Sequence, residues 1–284
     1  MLGELAGLSI TGGEASVRLS PAGVECGRWL AGFSPLGVSA ERLMGLPARL
    51  GMPAAGAAFF RAHWRDARQI GLAVEQTDAQ VSAKVYLENA LPAPDLRNHA
   101  PEQRQVALQI ASCKWRVDAP DPASRHTAYW RMSGLDGAAT VDLLRQAHGM
   151  PASVQAVYAA LAQVLENALR AAPDWQGHRL LLVREPEQGR SGVGVRFYGS
   201  ALRASALVQP MAHLFEAWGL TPAQLSDPLA VWANQELGWL HAGQDAQGQP
   251  YLIVYGALNR ADTGAVLARA GTVRHTARTA LLGN

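Results

Sequence analysis

Lysine is nearly missing from this sequence. Of its 25 basic residues only Lys84 and Lys114 are lysines, the rest being arginine, a bias that a GC-rich coding sequence explains but that makes the two lysine positions worth locating. Cysteine is equally scarce. Cys26 and Cys113 lie far apart, with no CxxC or Cys/His spacing, which excludes a disulfide framework and a zinc site and fits a reducing compartment. Charge of one sign is lacking too. A formal net charge of +2 is too small for a nucleic-acid protein, which needs a strongly basic face. No run of 18 apolar residues occurs, so no membrane-spanning helix is expected. The first residues, MLGELAGLS, carry Glu4 and no basic segment, so they do not read as a signal peptide, and a cytoplasmic location is expected. There is no P-loop and no GxSxG nucleophile elbow. Gly192-Val-Gly194 lies in a strand-like stretch and does not open a helix, so it fails the dinucleotide context.

What remains is a globular composition: 284 residues, 49% apolar and 17% charged, enough for one large domain over 1–284, with 257–284 expected as a peripheral helical or frayed tail. Apolar residues at helical spacing predict a helix from Pro151 to about Ala172, with Val154, Val157, Leu161, Leu165 and Leu169 on one face. The same spacing predicts a second from about Ala204 to Trp218 with Gly219 as C-cap, and a third from Thr221-Pro222 to about Asn234. Weaker helical patterns cover 39–50, 54–69 and 138–147.

Between them lie five expected hairpins. They are Leu8–Ile10 with Ala15–Leu19, Leu72–Gln76 with Val81–Glu88, Val106–Val117 with His126–Met132, Leu180–Glu185 with Val193–Tyr198, and Leu237–Ala242 with Tyr251–Tyr255. The polar, glycine-containing stretches Thr11-Gly12-Gly13-Glu14, Glu187-Gln188-Gly189 and Asp245-Ala246-Gln247-Gly248 are read as turns. Hairpins alternating with helices, and no βαβ spacing, predict an α+β fold of antiparallel hairpins. About ten strands rarely stay open, so they are expected to curl into a barrel with helices packed outside. The barrel would close through the N-terminal hairpin.

Alternation along each strand sorts its residues into two faces. One face is aliphatic: Val81, Ala83, Val85 and Leu87, for example, or Val193, Val195 and Phe197. The other gathers Glu75, Lys84/Tyr86, Lys114, Tyr129/Arg131, Arg196/Tyr198, Tyr255 and Arg18. In an open sheet this face is only solvated, whereas in a barrel it is the lumen. Tyrosine repeated beside a cation favours the lumen, because buried cations need an anion and phosphate oxygens accept charge-assisted hydrogen bonds. His241, two residues after Trp239, is on the side facing such a cavity, although a lone histidine is more often structural.

A ring of hairpins with this lumen resembles the ABBA-type (PT-barrel) aromatic prenyltransferases. The stretch Val193-Gly-Val-Arg-Phe-Tyr198 with the helical segment after it, and the Lys84-Val-Tyr86 strand, carry the likeness. The resemblance implies prenyl transfer from an allylic diphosphate to an aromatic or peptide acceptor. Lys84, Lys114, Arg131 and Arg196 would bind the diphosphate. Tyr86, Tyr129, Tyr198 and Tyr255 would shield the allylic cation or stack on the ligand, and Glu75 would orient or deprotonate the acceptor. Some members of the family need Mg²⁺ and others do not. No DDxxD cluster is present, so no cofactor is expected and no motif requires the metal. Two other readings stand beside this one: a non-catalytic barrel or curved sheet that binds a small molecule or peptide, and an interaction domain whose polar face is only solvated.

Overall fold

A computed structural model describes residues 8–77, 80–88, 106–117, 119, 123–146, 150–185, 190–221, 223–225 and 234–258. Ten strands form a closed antiparallel barrel. They are β1 (Ile10–Ser20), β2 (Gly23–Phe33), β3 (Gln69–Gln76), β4 (Val81–Glu88), β5 (Val106–Arg116), β6 (Arg125–Met132), β7 (Arg179–Glu185), β8 (Arg190–Arg196), β9 (Leu237–Gln244) and β10 (Pro250–Leu258). Each strand pairs with its neighbours in sequence, and β1 closes on β10 with Ser16 opposite Tyr255 and Arg18 opposite Ile253. The fold class and the closure through the N-terminal strand are as expected.

The aliphatic parity faces outward and makes the main core. Val17, Ala31, Phe33, Leu72, Val85, Leu87, Cys113, Trp115, Val195, Leu240 and Leu252 are buried under the helices. These are α1 (Ala40–Arg49), α2 (Ala54–His63), α3 (Gly137–Arg145), α4 (Ala152–Ala171) and α5 (Ala212–Ala217). The long α4 lies across β9 and β10 and buries Val154, Val157, Leu161 and Leu165 completely. Fully burying one such side chain stabilises the fold by about 1.5–3 kcal/mol. Among the described helices, none is long and apolar enough to cross a membrane.

Two expectations are corrected. Thr11-Gly12-Gly13-Glu14 is not a turn, because β1 runs through it and hairpins instead with β2 around Pro21-Ala22. Gly23, at φ +124°, takes a backbone conformation open to glycine at that turn. The expected helix from 204 to 218 is broken. A 3₁₀ turn at Ala204–Leu207 and α5 flank Pro210, which has no N–H to donate. Its apolar face is still buried, and Gly219 (φ +68°) ends α5 as expected, with Leu220 N donating to Phe215 O. The turn at Glu187-Gln188-Gly189, most of the helix expected from Thr221, and the tail beyond Leu258 lie outside the described residues.

Candidate active site in the barrel lumen

The inward parity lines two chambers in series. One, of about 340 Å³, is walled by Arg18, Arg28, Lys84, Lys114, Arg190, Glu75, Glu185 and Tyr251. The other, of about 530 Å³, is walled by Glu14, Leu30, Glu88, Ile110, Arg179, Leu181, Arg196, Tyr198 and Trp239. Tyr86, Tyr129, His241 and Tyr255 line both and so form the waist between them. Neighbouring rings there are 6.1 Å (Tyr86–Tyr129), 6.0 Å (Tyr129–His241) and 5.1 Å (His241–Tyr255) apart, within the range of aromatic contact. A small apolar cluster of Tyr129, Leu181 and Val183, backed by Ile110 and Trp239, sits inside the barrel apart from the main core.

The smaller chamber is cationic and heavily paired. Arg28 Nη2 donates to Glu75 Oε1 at 2.8 Å, and Lys114 Nζ holds the other oxygen, Glu75 Oε2. Arg190 meets Glu185 at 3.4 Å and lies 4.7 Å over the Tyr251 ring. Arg18 covers the same ring at 5.2 Å and pairs with Asp245 at 2.9 Å. Lys84 stands apart. Its Nζ donates to Tyr129 Oη at 2.9 Å and lies 4.7 Å from the Tyr86 ring centre, and no carboxylate comes within ion-pair distance among the described residues. Burial, partly offset by Glu75 and Glu185, lowers its pKa to about 8. Burial alone would raise the Glu75 pKa, but Arg28, Lys114 and Lys84 outweigh it and hold the carboxyl well below the usual carboxylate range.

The wider chamber treats its acids differently. Burial raises Glu14 to about 7, partly offset by the hydrogen bond that Tyr198 Oη donates to it. Glu88 is raised by burial as well, against the pull of Arg179. Arg196 donates to the carbonyls of Gly177 (2.9 Å) and Tyr198 (3.2 Å).

Of the residues expected to bind diphosphate, the structure therefore brings Lys84 and Lys114 together and does not bring Arg131 and Arg196 to them. Arg131 is exposed and lines neither chamber, and Arg196 is in the wider one. Arg190 and Arg196 stand six positions apart at the two ends of β8, about 20 Å along a strand, so the two mark opposite ends of the lumen. Tyr86, Tyr129 and Tyr255 form the waist, whereas Tyr198 lies at the far end of the wider chamber. Glu75 lies among cations, where its lowered pKa does not suit a base.

Sequence reasoning did not select Arg28, Arg190, Tyr251 or Glu14. Arg28 belongs to the unassigned β2, where an extra residue at Cys26-Gly27 resets parity so that Glu25 and Arg28 both face inward. Gly27 is required there: φ is +79° and a Cβ would come 2.7 Å from Gln76 O. Arg190 lies three residues before the expected start of its strand. Its parity matches that of Arg196, and a strand extended back to the turn would have included it.

No protein-family profile and no curated protein sequence matches the chain. Solved structures do. The crystal structure of AnaPT from Neosartorya fischeri superposes with a TM-score of 0.50 at 14% identity, over 86% of this chain and 78% of that one. The NotF prenyltransferase superposes at 0.51 and 11% identity, over 86% and 80%. NotF in complex with brevianamide F and DMSPP gives 0.50 and 12%, over 86% and 79%. The chain thus has the ABBA, or PT-barrel, fold that these prenyltransferases share.

Proposed function

We propose that the lumen transfers a prenyl group from an allylic diphosphate to an aromatic acceptor, free or within a peptide. The supporting observation is the series arrangement itself: a cationic chamber, a waist of three tyrosines and a histidine, and a wider, partly apolar chamber. The diphosphate would lie against Lys84, Arg28, Lys114, Arg18 and Arg190. Its C1–O bond breaks as the negative charge on the leaving group grows, which these cations stabilise. The allylic cation then lies between the π faces of Tyr86, Tyr129 and Tyr255, which attract positive charge. The acceptor comes from the wider chamber, where Glu14, whose carboxyl burial raises to about 7, can accept from an N–H or O–H and orient it. Glu75 takes a different part from that expected of it and holds Arg28 and Lys114 in position. Mg²⁺, where used, would arrive with the diphosphate.

One observation favours a binding barrel without turnover. Glu75, Glu185 and Asp245 already pair with Arg28, Lys114, Arg190 and Arg18. Among the described cations of that chamber, Lys84 alone offers a charge with no carboxylate in ion-pair range.

Thermal unfolding against dimethylallyl, geranyl and farnesyl diphosphates and inorganic pyrophosphate, with and without Mg²⁺, tests the reading. A ligand at 100 times its Kd adds about 2.7 kcal/mol. Lys84→Ala should weaken that response by about 1.5–3 kcal/mol, the worth of a hydrogen bond to a charged group. Arg131→Ala should leave it unchanged. No response to any of these ligands sinks the proposal, and response without product from any aromatic acceptor leaves the binding barrel.

A further inference from the structure

We propose that His241 is the base of the reaction, the imidazole that takes the proton lost by the acceptor. This rests on the prenyl-transfer reading above. The ring sits at the waist, lines both chambers and has no hydrogen-bond partner among the described residues. The Nε2 edge of the ring packs over Gly194 of β8, its register partner, where a Cβ would come 2.7 Å from Nε2 and 2.8 Å from Cδ2. A side chain at 194 would therefore occupy the imidazole's place, and the glycine is what lets the histidine lie at the junction.

The other candidates are spoken for. The waist phenols Tyr86, Tyr129 and Tyr255 have raised pKa values, chiefly through burial, so they carry their protons. Lys84 is a donor at neutral pH, Glu75 is engaged on both oxygens, and Glu14 is bonded to Tyr198 in the far chamber. His241 faces Tyr129 of β6, Trp239 of its own strand and Tyr255 of β10, and it feels the charges of Lys84, Arg190 and Arg28. Burial first, and those cations next, lower its pKa to about 3, so the ring is neutral and available across the neutral range.

The step balances without an oxidant or reductant. The allylic C1–O bond breaks and its electron pair leaves with the diphosphate. A ring carbon of the acceptor bonds to C1 through its π pair. The C–H bond at that carbon then breaks, its pair restores the aromatic ring, and the proton goes to the imidazole. An arenium ion is a far stronger acid than an imidazolium, so a weak base suffices. The imidazolium, disfavoured among cations, passes its proton to a diphosphate oxygen in the adjoining chamber.

The test uses dimethylallyl diphosphate with indole or brevianamide F, and indole deuterated at its ring carbons. His241→Gln should keep the diphosphate-induced rise in melting temperature, lose turnover by about 10²-fold or more, and show a primary isotope effect larger than that of the parent. Gly194→Ala, which crowds the ring without removing it, should move the same two readouts part of the way and guards against a folding defect in the first variant. A His241→Gln variant with parental turnover and no isotope effect overturns the base while leaving prenyl transfer standing. A parent chain that binds the diphosphate and prenylates neither acceptor overturns both.

Discussion

The two chambers hold the same acidic side chain in opposite states. In the cationic chamber, Glu75 is half-buried, and its carboxyl is held below the ordinary range by Arg28 and Lys114. In the wider chamber, Glu14 faces one tyrosine hydroxyl, with Glu88 and Arg196 acting from farther off, and burial pushes it up to about 7. Burial acts the same way in both, so what differs is whether a cation is within bonding distance. A carboxylate held ionised fixes the cations around it, whereas one poised near neutrality can give or take a hydrogen with a ligand. The barrel thus separates an anion-binding end from an acceptor end with one residue type and two sets of neighbours.

Glu75→Gln breaks the contrast at its stronger end. It leaves the half-buried Arg28 and Lys114 without their acid, a loss of about 1–3 kcal/mol at neutral pH. The folded pKa of Glu75 lies below its unfolded value of 4.5, so its contribution is complete above that pH and fades as the pH falls through the folded value. The variant's deficit should shrink in acid. Inorganic pyrophosphate should restore more stability to the variant than to the parent, because it finds two released cations. Denaturant unfolding at neutral and acid pH, with and without pyrophosphate, measures both effects. A deficit independent of pH, or equal rescue of the two proteins, would show that the triad does not hold in solution.

Most of this lumen was legible from alternation. Once β4, β6, β9 and β10 were read as strands, parity alone placed Lys84, Tyr86, Tyr129, His241 and Tyr255 on one side, and the structure joins them at or beside the waist. Parity counts residues, and it fails wherever the chain inserts one. The extra residue at Cys26-Gly27 hid Arg28, and Gly12-Gly13, which resemble a turn, hid the strand that carries Glu14. Alternation also says which face and not which end. Arg131 and Arg196 share the parity of the cationic residues but sit too far along their strands to join them. Closure pairs the first described strand, β1, with the last, β10, and no local signal encodes that contact.

Glu14→Gln sharpens the contrast at its weaker end, with the opposite pH signature. The folded pKa of about 7 lies above the unfolded 4.5, so between those values the native state keeps a proton that the unfolded state releases. Parent stability therefore falls as pH rises from about 4.5 to 7, by about 2 kcal/mol for this half-buried group. The glutamine cannot ionise. The variant should match the parent near pH 4 and exceed it by about that amount at pH 8. Melting temperatures across this range decide it, and parallel curves would mean that Glu14 titrates like an exposed carboxyl.

The smallest effect expected is that of Tyr198→Phe. Tyr198 Oη donates to Glu14, and this bond favours the ionised carboxyl and keeps the pKa from rising further. Arg196 covers the same tyrosine ring at 5.0 Å and loses little when only the hydroxyl goes. Removing the hydroxyl should move the Glu14 midpoint above the parent value. It should cost about 1 kcal/mol at pH 8, where the carboxylate needs the donor, and almost nothing at pH 5, where the acid is protonated in the folded state. Titration of the Glu14 carboxyl carbon by NMR reads the midpoint directly. An upward move shows that this hydroxyl tunes the acceptor end, as Arg28 and Lys114 tune the other. An unmoved midpoint would leave Arg28 and Lys114, at the other end, as the whole reason why the two carboxyls differ.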